Sequence, residues 1–135
     1  MTFTLDKQLE RDTVTIAEFS LCRVLLMNNR NHPWVILVPK KDGLVEIADL
    51  NSQQRNQLME EISIVSEKMK KHFKADKMNV AALGNMVRQL HIHIIARYED
   101  DPAWPKPVWA GMIQPYPQHE LMEQAEELRK VLTNN

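Results

Sequence analysis

The segment Gln89-Leu90-His91-Ile92-His93-Ile94-Ile95-Ala96-Arg97 alternates polar and aliphatic side chains along most of its length. Successive side chains of a strand point to opposite faces. Leu90, Ile92, Ile94 and Ala96 are therefore predicted to enter the core, while Gln89, His91, His93 and Arg97 share the other, open face. Burial gives no reason for two imidazoles and a carboxamide to line up opposite an apolar row, so the open face is where chemistry is expected.

The rest of the chain supplies partners for such a strand. Residues 13–27 carry β-branched and aliphatic character broken at Ser20, and Val24, Leu25, Leu26 and Met27 are the clearest strand core among them. The polar cluster Asn28-Asn29-Arg30-Asn31 predicts a turn, and Trp34-Val35-Ile36-Leu37-Val38, closed by Pro39, predicts a buried strand returning from it. Leu58, Ile62, Val65 and Met69 recur at helical spacing. Asn51 or Ser52 suits the cap of that helix, and Lys70, Lys71 and Lys74 gather near its C-terminal end. Residues 77–83 predict a further strand that turns at Gly84-Asn85 into the histidine strand. Leu121, Ala125, Leu128 and Leu132 predict a final helix, approached through Pro115 and Pro117. The proline-rich stretch 101–109, with Trp104 and Trp109, is expected to be a loop packed on the body. Two hairpins and a long helix without regular strand-helix-strand alternation predict an α+β fold.

The 135 residues fit a single domain, 1–135, able to bury a core without disulfides. A net charge of -1 with mixed signs leaves no electrostatic footprint for a nucleic acid polymer or an anionic membrane. No stretch approaches the roughly 20 apolar residues of a membrane span. One cysteine, Cys22 in an apolar run, fits a buried thiol in a reducing, cytoplasmic setting.

Three readings of the histidine face compete. The histidines are half-exposed and bonded to neighbours, or His91 and His93 hold a metal in a metal-dependent enzyme, or an imidazole attacks phosphorus. The metal reading lacks a third ligand at a recognisable spacing, since His32, His72 and His119 lie in a turn, on the lysine-rich helix end and near the last helix. For the third, a neutral imidazole is a good nucleophile toward a phosphoryl group, and a neighbouring donor can hold the non-bridging oxygens.

The segment Gln89-Leu90-His91-Ile92-His93-Ile94-Ile95 resembles the signature of the histidine triad (HIT) family, which alternates three histidines with hydrophobic residues; Gln89 occupies the first histidine position. The resemblance covers most of residues 20–100 and includes Trp34-Val35-Ile36-Leu37-Val38-Pro39-Lys40 and the long helix. Leu25-Leu26-Met27-Asn28, Asn31-His32-Pro33-Trp34 and the stretch from Glu99 to Pro105 are most similar to a bacterial branch described as diadenosine tetraphosphate hydrolase-like. It implies a HIT-like antiparallel sheet of about five strands with one long helix packed on it and a C-terminal helix, in a homodimer.

The implied activity is that of a nucleotide hydrolase or nucleotidyl transferase, free of any cofactor. It cleaves a phosphoanhydride or phosphoramidate bond at the α-phosphate through a covalent nucleotidyl-histidine. His91 takes the place of the nucleophile and His93 that of the histidine holding phosphate oxygens. Gln89 stands at a catalytic position but cannot shuttle a proton near neutral pH. That substitution leaves a nucleotide-binding protein with little turnover as the rival.

Further positions carry over the same way. Asn28 matches the position that faces the ribose, although an asparagine there also suits the turn. Gly84 and Asn85 match the stretch that contacts phosphate, or shape a turn only. Trp34 stands where many members place another histidine and is expected in the core or at its rim. Met86 stands where a hydroxyl often assists the leaving group. Arg97 is expected either to offset phosphate charge or to form a surface ion pair, and His32 to be solvated in its turn.

Overall fold

Five antiparallel strands form one sheet, in which the histidine strand, residues 92–97, lies between the strand 34–39 and the edge strand 77–81. The computed structural model describes residues 3–134. Along the chain come α1 (Lys7–Asp12), β1 (Thr13–Glu18), β2 (Cys22–Met27), β3 (Trp34–Pro39), α2 (Ser52–Phe73), β4 (Lys77–Ala81), β5 (Ile92–Arg97) and α3 (Gln118–Thr133). The predicted α+β architecture, its five strands, its long helix and its C-terminal helix are all present. No helix among the described residues is long and apolar enough to cross a membrane.

Hydrophobic periodicity explains one side of the sheet. Leu58, Ile62, Val65 and Met69 of α2 and Leu121, Ala125, Leu128 and Leu132 of α3 bury themselves against Val24, Leu26, Val35, Leu37, Ile92 and Ile94. Each large aliphatic fully withdrawn from water contributes about 1.5–3 kcal/mol. The Asn51 side chain accepts from the Gln54 N–H while Gln54 reaches back to the Asn51 N–H, so the helix starts at a reciprocal cap. Glu61, buried in α2, accepts from the Leu21 and Cys22 N–H groups at 2.9 Å each and so clamps the β1–β2 turn to the helix. Burial and then the Glu61 charge push the Cys22 thiol far above the usual range, as befits an inert buried cysteine.

The other side of the sheet departs from expectation. It is not open: Leu5, Leu9, Leu25, Trp34, Ile36, Val38, Ile95 and Val108 form a second core there, and β5 is buried on both faces. The cover comes from two places. One is the short helix α1, capped by Asp6 and burying only Leu9, too brief for periodicity to reveal. The other is the loop after β5, whose 3-10 turn Val108–Ala110 inserts Val108. The β4–β5 pair is antiparallel as predicted, but its connection runs from residue 82 to 91 and His91 precedes the strand proper.

Arg97 is neither a surface residue nor a phosphate contact. It is about 1 % exposed and donates to both Asp101 carboxylate oxygens (2.8 and 3.1 Å), to Asn79 Oδ1 (2.8 Å) and to the Lys106 carbonyl (2.8 Å). Its guanidinium also lies 5.6 Å from the Trp104 ring centre. Burial would raise the Asp101 pKa, yet the Arg97 hydrogen bond and the backbone N–H groups of Tyr98 and Ala103 hold it well below the carboxylate range. His32, expected in solvent, is buried too, with Nδ1 3.8 Å from Asp101 and no hydrogen-bond partner among the described residues. Burial lowers its pKa more than Asp101 raises it, so the ring stays neutral beside the ion pair.

Asp101→Asn leaves a buried guanidinium without its counter-charge and is expected to cost about 3–5 kcal/mol. Denaturant unfolding of the two proteins measures this, and a loss under 1 kcal/mol would show that the pair does not hold the loop.

Candidate functional site

Two hydrogen bonds assign the histidine tautomers. An indole N–H only donates, so the 3.0 Å contact from Trp34 Nε1 makes His93 Nδ1 an acceptor. The proton then sits on His93 Nε2, which donates to the Leu83 carbonyl at 3.0 Å. A carbonyl only accepts, so His91 Nδ1 carries a proton donated to the Gln89 carbonyl at 2.7 Å. In the neutral His91 ring, Nε2 is left with its lone pair.

Aromatic packing fixes the rings. His93 meets Trp34, Trp109 and His91 edge to face, with centres 5.6, 4.9 and 4.8 Å apart. Trp34 is a buried donor to His93, and it lies in the core as expected. Both ring nitrogens of His93 are engaged within the protein, so holding phosphate oxygens or a metal would first break the bond to Trp34 or Leu83.

Beside His91 lies a hollow of about 90 Å³ bounded by Glu46, Gly84, Asn85, Arg88, Gln89 and His91, among others. That is well below the roughly 300–1,000 Å³ of a typical small-molecule site, and it suits an oxyanion. His91 is 5 % exposed, but it borders this hollow rather than being sealed in the core. Gly84 is required there by close approach: a Cβ would stand 2.6 Å from the Val87 carbonyl and 3.0 Å from His91 Cε1. Asn85 is exposed on the rim. Arg88, which sequence reasoning passed over because its loop has no periodicity, is an exposed cation on the lining of the hollow and forms no ion pair among the described residues.

Gln89, which borders the hollow, and Asn28 are both held through their side chains by distant segments. The Gln89 side chain is tied to the N-terminal segment, accepting from the Asp6 N–H at 2.8 Å and donating to the Thr4 carbonyl at 3.0 Å. Asn28 follows β2 at the end of the sheet where Trp34 pairs with Ile95, away from the end His91 enters. Its side-chain oxygen accepts from the Tyr116 N–H at 2.9 Å. Among the described residues, no three His, Cys, Asp or Glu side chains converge as a metal-binding group.

The HIT domain family model matches residues 8–100. Three solved histidine triad proteins are similar over nearly the whole chain. The protein from Marinobacter aquaeolei VT8 is 47% identical, with 98% of this chain and 97% of that one covered and a TM-score of 0.93. Those from Bradyrhizobium japonicum and Sinorhizobium meliloti 1021 are 43% and 45% identical, with TM-scores of 0.92 and 0.91. Coverage of this chain and of theirs is 98% and 99% for the first, and 96% and 96% for the second. No curated protein matches.

Burial, then the neighbouring His91, lowers the His93 pKa to about 4. The unfolded chain takes up this proton near pH 6.5 and the folded protein does not, so stability is full above pH 6.5 and falls as pH drops toward 4. The His93 ring resonances are expected to show no titration above pH 5.5, and His93→Gln to lose less stability than the parent between pH 6.5 and 4. A His93 midpoint near 6.5 would contradict the assigned tautomer.

Proposed function

The chain belongs to the HIT domain family, and from that premise we propose that it cleaves phosphoanhydride or phosphoramidate bonds of nucleotides, with His91 as nucleophile. Members of this family are in general nucleotide-binding hydrolases or transferases. The observation that carries the reading is the His91 Nδ1–H bond to the Gln89 carbonyl. It leaves Nε2 unprotonated in a ring that borders a polar, anion-sized hollow.

In this reading the Nε2 lone pair attacks the α-phosphorus. The bond from phosphorus to the leaving oxygen or nitrogen breaks, its electron pair departs with the leaving group, and that group takes a proton from solvent. Water then attacks the nucleotidyl-histidine. The P–N bond breaks with its electrons returning to Nε2, the nucleoside monophosphate leaves, and the surplus proton passes to solvent. The Gln89 carbonyl stabilises the charge that the ring acquires while it is bonded to phosphorus, because Nδ1–H already points at it.

Arg88 and the Asn85 amide face the non-bridging oxygens, and Gly84 keeps the loop close to the ring. His93 acts at one remove, holding Leu83 and hence the neighbouring Gly84 in place. The ribose-binding duty of Asn28 draws no support from its bond to Tyr116. The substrates favoured are dinucleoside polyphosphates and nucleoside phosphoramidates, in keeping with the bacterial branch the sequence resembles. The edge strand β4 leaves one side unpaired with Val80 exposed, and this edge suits a second copy of the chain.

Incubation with diadenosine tetraphosphate or adenosine phosphoramidate is expected to release AMP, and His91→Ala to lower the rate by about 10³-fold or more. Acid quench should trap radiolabel on the parent protein only. Nucleotide binding without AMP release in the parent would favour the low-turnover rival. Light scattering is expected to give twice the 15.8 kDa chain mass, and a single-chain mass would refute pairing.

A further inference from the structure

Gln89 is separated by more than eighty residues from the segment its side chain grips. Its carboxamide acts as a peptide unit turned sideways, accepting from Asp6 N–H at 2.8 Å and donating to the Thr4 carbonyl at 3.0 Å. Each bond admits only one role for the backbone partner, so the amide orientation is fixed. The Thr4 N–H is in turn held by Asp42 Oδ1 at 3.2 Å, and Leu5 between the two contacts is buried in the second core. On the other side, Leu90 N–H donates to the Leu44 carbonyl at 3.0 Å. The residue whose main-chain carbonyl sets the His91 tautomer is therefore gripped from both directions, by residues 4–6 through its side chain and by Leu44 through the next peptide.

We infer that Gln89 is a positioning residue, a latch by which the N-terminal segment aims the carbonyl that orients His91, and that glutamine here is a working substitution rather than a defective triad histidine. The inference rests on the phosphoryl-transfer reading for its kinetic consequence but not for its structural one. Neutral imidazole has one donor and one acceptor on diverging ring positions and cannot reproduce the parallel donor and acceptor of a carboxamide. Glutamate keeps the shape yet sets a carboxylate oxygen against the Thr4 carbonyl. Restoring histidine at this position should therefore harm the enzyme.

The test compares the full-length parent with Gln89→His and Gln89→Glu, reading AMP release from adenosine phosphoramidate and the ¹⁵N shifts of the His91 ring without substrate. Both variants are expected to lose about tenfold or more in kcat with KM changed less than about twofold, since mis-aim acts on the chemical step. Their His91 nitrogens should move from the Nδ1–H pattern toward an average of the two tautomers. A Gln89→His protein as fast as the parent, or faster, with unchanged His91 shifts would overturn the latch.

Should these variants fail to fold, a second pair decides. Asp6 has φ −53, which proline accepts, so Asp6→Pro removes the N–H to Gln89, while Asp6→Ala removes the same carboxylate cap and keeps that N–H. Slower turnover and altered His91 shifts in Asp6→Pro relative to Asp6→Ala support the latch, and equality refutes it. A parent that releases no AMP from either substrate refutes the phosphoryl-transfer reading, while the His91 shifts still decide the latch.

Discussion

Burial of β5 on both faces denies water to His93, so both of its ring nitrogens must find fixed partners within the protein. Trp34 is the partner that matters first. By donating to His93 Nδ1 it sends the His93 proton to Nε2, which then holds Leu83, one residue before the glycine that lies against His91. A charged His93 would leave Trp34 with no acceptor and two donors facing each other, a penalty beside the burial and the neighbouring His91 that depress its pKa. Neutrality of the His93 ring is thus built into its packing.

The two ends of β5 are secured by different means. At its far end the Arg97–Asp101 pair, joined by Asn79 and the Lys106 carbonyl, fixes the loop that delivers Val108 and Trp109 over His93. At its near end neutral hydrogen bonds through Gln89 and Leu90 do the fixing. The ion pair at the far end is covered and self-compensated.

Local patterning made α2, α3 and the strand pairings legible, because Leu58, Ile62, Val65 and Met69, or Leu121, Ala125, Leu128 and Leu132, report their environment through spacing alone. The period of two likewise placed His91, His93 and Arg97 on the same side of the strand. It could not say what covers that side. Leu5, Leu9 and Val108 come from segments far away in sequence and too short to show a period, so Arg97 and His32 read as solvent-facing when they are buried. Resemblance to a family supplied the nucleophile's position, and tertiary contacts alone supplied Arg88 at the hollow and the partners of Gln89.

The hollow beside His91, at about 90 Å³, is smaller than the roughly 300–1,000 Å³ of typical small-molecule sites, so in the proposed reaction it serves the reacting phosphate. The exposed residues that border the hollow come from two segments, Val45 and Glu46 from one and Ala82, Asn85 and Arg88 from the 82–91 connection. In the proposed reaction the buried elements orient His91, and these exposed residues are what a leaving group would meet. Within that connection Leu83 and Gln89–Leu90 are held by hydrogen bonds to other parts of the chain, Val87 packs on the second core and Gly84 lies against His91. Substitutions at the exposed Asn85, Met86 and Arg88 are therefore the ones that can change substrate preference while the orientation of His91 is preserved.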